Sequence, residues 1–159
     1  LSYLTKKMKI IIGADAGATG GVAARLGKLI LVKKLDGDLH GLKEWILGFS
    51  KIEAERPIIY IEEVPKYVGR NIPSSASFTL GKSFGELLGL STALGLRIVR
   101  VRPQEWQKGV RAGKRGNKSQ TEWKRHLKAL ACDLYPTIKV TLWNADALLL
   151  LEYGTDKEF

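Results

Sequence analysis

Three acidic residues stand where apolar segments of the chain begin or end, and they are the residues best suited to chemistry. Asp15 follows the β-branched run that starts at Ile10, Glu62 ends the run that starts at Pro57, and Asp146 opens a run of leucines. A carboxylate so close to a core is costly to bury without a counter-charge. The three acids therefore predict a site for a metal ion or a basic partner.

The donor types favour Mg²⁺ or Mn²⁺, because these ions prefer carboxylate oxygens whereas His and Cys ligands favour zinc. The chain has 2 His and 1 Cys, with no C-x-x-C or H-E-x-x-H pattern. Hard oxygen ligands that hold two ions about 3.5–4 Å apart are suited to phosphodiester cleavage. Glu63, whose side chain points away from that of Glu62 in a regular strand, is the second choice of ligand.

The chain is strongly basic, with 26 Lys and Arg against 16 Asp and Glu and a net charge of +10. Such an excess favours a polyanionic partner, most often nucleic acid, and a solubilising surface is the alternative. Basic residues concentrate in the glycine-containing segment 108–118. The residues of this segment predicted to contact nucleic-acid phosphates are Lys108, Arg111, Lys114, Arg115 and Lys118.

The segment 64–77 directly follows Glu62 and is rich in Pro, Gly, Ser and basic residues. This composition predicts a mobile loop that holds substrate, with a simple connector as the alternative. Its Lys66 and Arg70 are predicted DNA contacts. Phe78, just beyond the loop, and Tyr67 within it are aromatic residues that could stack on exposed bases. For Phe78 a core position is equally open.

The hydrophobic patterns predict one domain in the order β-β-β-α-β-α-β-α-α, a mixed five-stranded sheet flanked by helices. The first three strands lie close together, as an antiparallel meander requires. Residues 1–7 have no core pattern and are predicted to be an extension before a domain of residues 8–159. The predicted strands are 9–15, 20–26, 28–35, 57–63 and 97–101, and the predicted helices lie near 39–49, 77–95, 119–134 and 144–152.

One predicted helix has small residues at every fourth position from Ser77 to Ala93, three of them glycines. Each glycine inside a helix costs about 1 kcal/mol relative to alanine, so the stripe needs a packing reason. Close approach of another helix, from the same chain or from a second copy, would supply one. The stripe alone slightly favours packing within the chain.

A single cysteine excludes an intrachain disulfide and fits a reducing, intracellular compartment. No apolar run approaches the roughly 20 residues of a membrane span, so no membrane partner is expected.

Several motifs resemble, in order and spacing, those of the RuvC-like Holliday junction resolvases, especially the phage-type members. The first is the glycine-rich segment around Asp15, and the second is the acidic pair at Glu62. The resemblance extends over nearly the whole chain from Met8 to Gly154. The matching segments are 13–21, 61–64, 77–78 with 84–85, 101–106, Lys118 and 145–154.

This resemblance implies an RNase H-like fold and a homodimer that uses Mg²⁺ or Mn²⁺. The implied reaction is the hydrolysis of DNA phosphodiesters as paired nicks in a four-way junction, a step of DNA recombination in a bacterial or phage-infected cell. Asp15, Glu62 and Asp146 match the metal ligands, and Lys118 matches a lysine that stabilises the reacting phosphate. The glycine stripe then becomes a contact between two copies.

The sequence departs from the family at one place, because the fourth acid expected a few residues before Asp146 is absent. Asn144 is the nearest polar residue, and three roles are open to it: a carbonyl ligand, an inactivating replacement of Asp, or a helix cap. The departure supports a non-catalytic, junction-binding protein as the alternative function. Another RNase H-like nuclease is a second alternative. An actin-like ATPase is excluded by the short chain and the missing second phosphate loop.

Overall fold

The computed structural model describes residues 7–17, 19–51, 55–66 and 72–159. Five strands form one mixed sheet in the order β3-β2-β1-β4-β5. The first three strands form the predicted antiparallel meander, and β4 and β5 are added parallel to β1. The strands are β1 (Ile10–Ala14), β2 (Gly21–Leu26), β3 (Leu29–Lys34), β4 (Ile58–Glu62) and β5 (Arg97–Val101).

Five helices flank the sheet and confirm the predicted architecture. α1 is followed by a short 3-10 turn, Gly48–Lys51. The helices are α1 (Leu39–Leu47), α2 (Ser74–Ala93), α3 (Pro103–Gly109), α4 (Gln120–Leu134) and α5 (Ala145–Glu158). None of the helices in the described part of the chain is long and apolar enough to cross a membrane.

The central strand β1 is buried on both faces, which explains its continuous apolar sequence. Because side chains alternate along a strand, Ile11 joins a core with α3, α4 and α5, whereas Ile10 and Ile12 join a second core with α1 and α2. The molecule is therefore a three-layer sandwich of helices, sheet and helices.

The helix α3 was not predicted from the sequence. Pro103 occupies its first turn, where a missing N–H costs nothing, and Trp106 is its buried residue. The last helix was predicted too short, because α5 continues beyond Glu152 to Glu158. The predicted extension falls mostly on residues 1–6, which lie outside the described residues, as do Tyr67 and Arg70 of the predicted loop.

The backbone of α5 lies directly against β1 at Gly13. A Cβ atom at this position would be 2.3 Å from the carbonyl oxygen of Ala147 and 2.4 Å from the nitrogen of Leu151. Both neighbours are backbone atoms of a helix buried in the sandwich, so they cannot move aside as a flexible side chain would. Gly13 therefore sets how closely the helix that carries Asp146 approaches the strand that leads to Asp15.

Polar contacts fix α5 at its other end. The Tyr60 hydroxyl donates to Glu158 Oε1 at 2.7 Å, and Arg97 forms an ion pair with the same carboxylate. Glu152 accepts from the Tyr135 hydroxyl at 2.7 Å and lies 3.4 Å from Arg25. These bonds tie the helix to β4, β5, β2 and the end of α4, so its position along the sheet is fixed.

We expect Gly13→Ala to lower the free energy of unfolding by about 1–3 kcal/mol, because the added methyl overpacks a backbone contact. Urea unfolding measures the change. Gly48→Ala is the matched control, since a Cβ there meets nothing within 4 Å. Equal stability of the two variants would contradict the proposed role of Gly13.

Candidate active site

The register of β1 and β4 explains why two of the predicted acids meet. These parallel strands pair Ala14 with Ile61, so the residues that follow, Asp15 on β1 and Glu62 on β4, lie side by side. Both acids therefore stand at the carboxyl edge of the sheet on neighbouring strands. The first turn of α5, held against β1, brings Asp146 to the same edge.

One oxygen of each strand-end acid is held by the protein. The backbone N–H of Gly17 donates to Asp15 Oδ1 at 3.0 Å. The indole N–H of Trp106, a residue with no exposed surface, donates to Glu62 Oε2 at 2.7 Å. Asp15 Oδ2 and Glu62 Oε1 accept no hydrogen bond from the described residues. The contact of Trp106 with Glu62 was not predicted from the sequence.

The third acid, Asp146, is 4% exposed and pairs with Lys124 of α4 through its Oδ2 atom. Its Oδ1 atom accepts no hydrogen bond within the described part of the chain. Lys124 was not predicted to lie at the site. Lys124 lies one residue after Trp123, which is on the buried face of α4. The hydrophobic pattern therefore places Lys124 only at the edge of that face.

The three carboxylates repel one another. Burial raises the pKa of Asp15, and the charge of Asp146 raises it further. The pKa of Glu62 rises to about 7, first because of burial and then because of Asp15, although the Trp106 hydrogen bond opposes the shift. Burial lowers the pKa of Lys124, but the charge of Asp146 and its hydrogen bond outweigh this effect and raise it. The site thus holds more negative charge than its one lysine balances.

The donor set fits a hard divalent cation. The three carboxylates supply only oxygen atoms, and each has one oxygen that is not engaged by the described residues. Their negative charge is only partly balanced by Lys124. Within the described ranges, no three acidic, His or Cys side chains are gathered into a ready-made metal site. Each acid has its own partner instead: Lys124 pairs with Asp146, the Gly17 N–H donates to Asp15, and the Trp106 indole donates to Glu62.

Lys118, the lysine predicted to act on the phosphate, is exposed and lies one residue before Ser119, the N-cap of α4. Ser119 and Glu122 form a capping box that fixes the first turn of α4. The lysine that the structure places against an acid of the site is Lys124, which lies almost two helical turns further along. The role of Lys118 stays a prediction.

Asn144 has a structural role that the sequence did not reveal. It immediately precedes α5, as predicted, but its side chain does not cap that helix. Instead, its Oδ1 accepts from the Thr141 N–H at 2.8 Å and its Nδ2 donates to the Lys139 carbonyl at 3.1 Å. The residue is fully buried. An Asp at this position would have no N–H for the Lys139 carbonyl, so the amide suits this turn better than a carboxylate.

The basic segment 108–118 lines an open cleft of about 730 Å³ beside α3. Arg115 is held there by its Nε hydrogen bond to the Lys118 carbonyl at 3.0 Å. No acidic residue contributes to the cleft, so its charge suits a phosphate backbone. The cleft is lined by Gln104, Gln107, Lys108, Arg111, Gly113, Lys114 and Arg115.

Phe78 lies near the start of α2 and is 72% exposed, so the alternative that it packs in the core is wrong. Lys66, on the other side of the loop, is also exposed. DNA contact by either residue stays a prediction.

The glycine stripe of α2 faces open space. A Cβ atom added at Gly81, Gly85 or Gly89 would meet no described atom within 4 Å, apart from those of its own helix and chain neighbours. The stripe therefore has no partner helix within the described part of this chain. It leaves a flat backbone surface on the outside of the molecule.

Comparison with solved structures confirms the RuvC-type, RNase H-like fold. The chain is similar to RuvC of Thermus thermophilus in complex with a Holliday junction substrate, with 16% identity, a TM-score of 0.59, and coverage of 94% of this chain and 96% of that one. A second structure of T. thermophilus RuvC gives 16% identity, a TM-score of 0.58, and coverage of 92% and 93%. No protein-family model and no curated protein sequence matches the chain.

We expect Asp15→Asn to raise the melting temperature in EDTA, because the amide keeps the Gly17 hydrogen bond and removes a charge that burial and Asp146 disfavour. About 1 kcal/mol of relief corresponds to about 2–4 °C in a chain of this size. The pKa of Asp15 is higher in the folded than in the unfolded protein. The gain in stability is therefore absent below the ordinary pKa of 3.8 and grows as the pH rises towards the folded pKa.

The matched control is Asp133→Asn, an exposed residue of α4. A lower melting temperature for Asp15→Asn than for this control at neutral pH would show that the carboxylate stabilises the fold rather than straining it.

Proposed function

We propose that the protein is a metal-dependent endonuclease that resolves four-way DNA junctions by paired nicks. The observation that supports this most directly is the meeting of Asp15, Glu62 and Asp146 at the carboxyl edge of a RuvC-type sheet. The T. thermophilus structure with this fold is bound to a Holliday junction. The surplus of basic residues in the cleft beside α3 fits the same class of substrate.

Asp15, Glu62 and Asp146 are the residues that would hold Mg²⁺ or Mn²⁺. When bound, such an ion supplies Lewis-acid stabilisation of the phosphate and lowers the pKa of a water molecule that attacks it. Asp15 and Glu62 each keep one oxygen fixed, which orients the other. Trp106 is therefore a positioning residue for Glu62.

Lys124 supplies the positive charge that the protein itself brings to the site. In the free protein its ammonium group offsets Asp146. With a cation held by the three acids, the Lys124 ammonium group would be free to contact a phosphate oxygen within reach of Asp146. A fixed positive charge at this point stabilises the charge that develops as the phosphodiester is cleaved.

The outward glycine stripe of α2 is the proposed dimer contact. Small residues allow two helix backbones to approach closely, and a twofold axis there gives the same surface on both copies. Two active sites related by that axis would cut two strands of a junction symmetrically.

A non-catalytic junction-binding protein is the second candidate. It is favoured by the Lys124–Asp146 ion pair, which engages one of the three acids, and by the structural use of Asn144 where a fourth acid is expected. This candidate requires the same DNA affinity without any cleavage.

The decisive assay compares a synthetic four-way junction with a linear duplex of the same sequence, in Mg²⁺, Mn²⁺ or EDTA. Paired nicks near the branch point that require the divalent ion support the endonuclease. Tight junction binding without nicks in either metal supports the second candidate, and degradation of the linear duplex would show a nuclease of another class.

In this assay we expect Lys124→Gln to reduce the cleavage rate by about 10²–10³-fold while junction affinity changes little. Lys128→Gln, one turn further along α4, is the control for charge. Lys118→Gln tests the sequence-based assignment. If Lys124→Gln cuts as fast as wild type and Lys118→Gln does not, the phosphate-stabilising role belongs to Lys118.

We expect Trp106→Phe to weaken Mn²⁺ binding by about 10–100-fold, since it removes the donor that orients Glu62. Electron paramagnetic resonance of free Mn²⁺ measures the affinity without any DNA. Trp123→Phe is the control, because Trp123 is also buried and its indole makes no hydrogen bond among the described residues. Equal Mn²⁺ affinities for the two variants would remove Trp106 from the site.

We expect Gly85→Leu to shift the protein from dimer to monomer, because a bulky side chain prevents close backbone approach on α2. Sedimentation equilibrium measures the mass. Thr79→Leu, on a different face of the same helix, is the control. An unchanged mass for Gly85→Leu would place the dimer contact elsewhere.

A further inference from the structure

The exposed side chain of Leu142 lies on a rigid turn next to the site. Leu142 is 61% exposed, although it is a large apolar residue. Asn144 braces its turn through hydrogen bonds to Thr141 and Lys139. Trp143 packs directly on Gly21, where a Cβ atom would lie 2.7 Å from the indole ring. The turn therefore holds Leu142 in place instead of letting it fold back onto the core.

Leu142 forms one wall of an open cleft of about 370 Å³, and the first turns of α4 form the other. The four α4 residues of the cleft are neighbours on the helix surface, beside the buried face that contains Trp123 and Leu127. The cleft is lined by Gln120, Thr121, Lys124, Arg125 and Leu142. Two of these residues are cationic and none is acidic, so the cleft suits an anionic ligand.

The cleft begins at the site itself. Lys124 lines it and also pairs with Asp146, so the wall that Lys124 forms adjoins this carboxylate. A strand that presents a phosphodiester to Asp146 would therefore lie beside this cleft. The cleft is distinct from the one beside α3, whose lining residues it does not share.

The chemistry of the walls matches one nucleotide. An apolar Leu side chain can contact the face of a base, and the amide of Gln120 can both donate and accept hydrogen bonds, as base edges do. The hydroxyl of Thr121 adds a second group of this kind, and Arg125 can hold the neighbouring phosphate. A phosphate alone would need the cations but not the exposed leucine.

On the basis of the proposed function, we propose that this cleft receives the base of a nucleotide next to the cleaved phosphodiester and sets the sequence preference of cleavage. Leu142 is then a specificity-determining residue. Asn144, which braces the turn, is a positioning residue for Leu142. This assigns a use in substrate recognition to the position where the sequence lacks an acid.

The test uses four-way junctions that differ only in the bases flanking the cut. Wild type should favour one base at one flanking position by about tenfold, and Leu142→Ala should remove that preference. Leu134→Ala, an exposed leucine at the far end of α4, is the matched control and should keep the preference. Wild type and Leu142→Ala profiles that are the same, or a wild type with no preference, would overturn the proposal.

A second readout needs no cleavage. The base analogue 2-aminopurine is placed at each flanking position in turn, and its fluorescence is recorded on binding in EDTA. Wild type should change the fluorescence at one position, and Leu142→Ala should abolish the change. If wild type never nicks a junction, the endonuclease proposal fails, and this fluorescence still decides the cleft: a signal that Leu142→Ala leaves intact contradicts base insertion.

Discussion

Gly13 lets the backbone of α5 pack directly against the central strand, and this close approach determines where Asp146 lies. Only a residue without a side chain lets a helix lie 2.3 Å from the position of a Cβ atom on the central strand. That approach delivers Asp146 to the edge where the register of β1 and β4 has already placed Asp15 and Glu62. Packing and chemistry are therefore coupled at one residue.

The second constraint is electrostatic. Three carboxylates at one edge raise the pKa of Asp15 and Glu62, and a single lysine offsets part of the charge. Such an arrangement costs stability and makes sense when a cation or a charged substrate completes it. Gly17, Trp106 and Lys124 each donate a hydrogen bond to one carboxylate oxygen, which partly offsets the repulsion between the acids.

The sequence predicted the mixed sheet, the antiparallel meander of its first three strands and the three candidate acids, because apolar runs that end in acids are local signals. It did not reveal the partners of those acids. Trp106 and Lys124 reach the site from α3 and α4, elements far along the chain, and no spacing rule connects them with Glu62 or Asp146. Pro103 was the available signal for α3. Of the three roles open to Asn144, the side-chain cap is not the one adopted, because a preference for helix starts does not show where the side chain points.

We propose that Asp15, Glu62 and Asp146 bind a divalent cation, which would replace Lys124 as the partner of Asp146. Anomalous diffraction from crystals soaked in Mn²⁺ tests it most directly. We expect a Mn²⁺ peak in contact with all three carboxylates and the Lys124 ammonium group displaced from Asp146. A map with no peak at these residues, and with the Lys124–Asp146 ion pair intact at saturating Mn²⁺, would contradict the account.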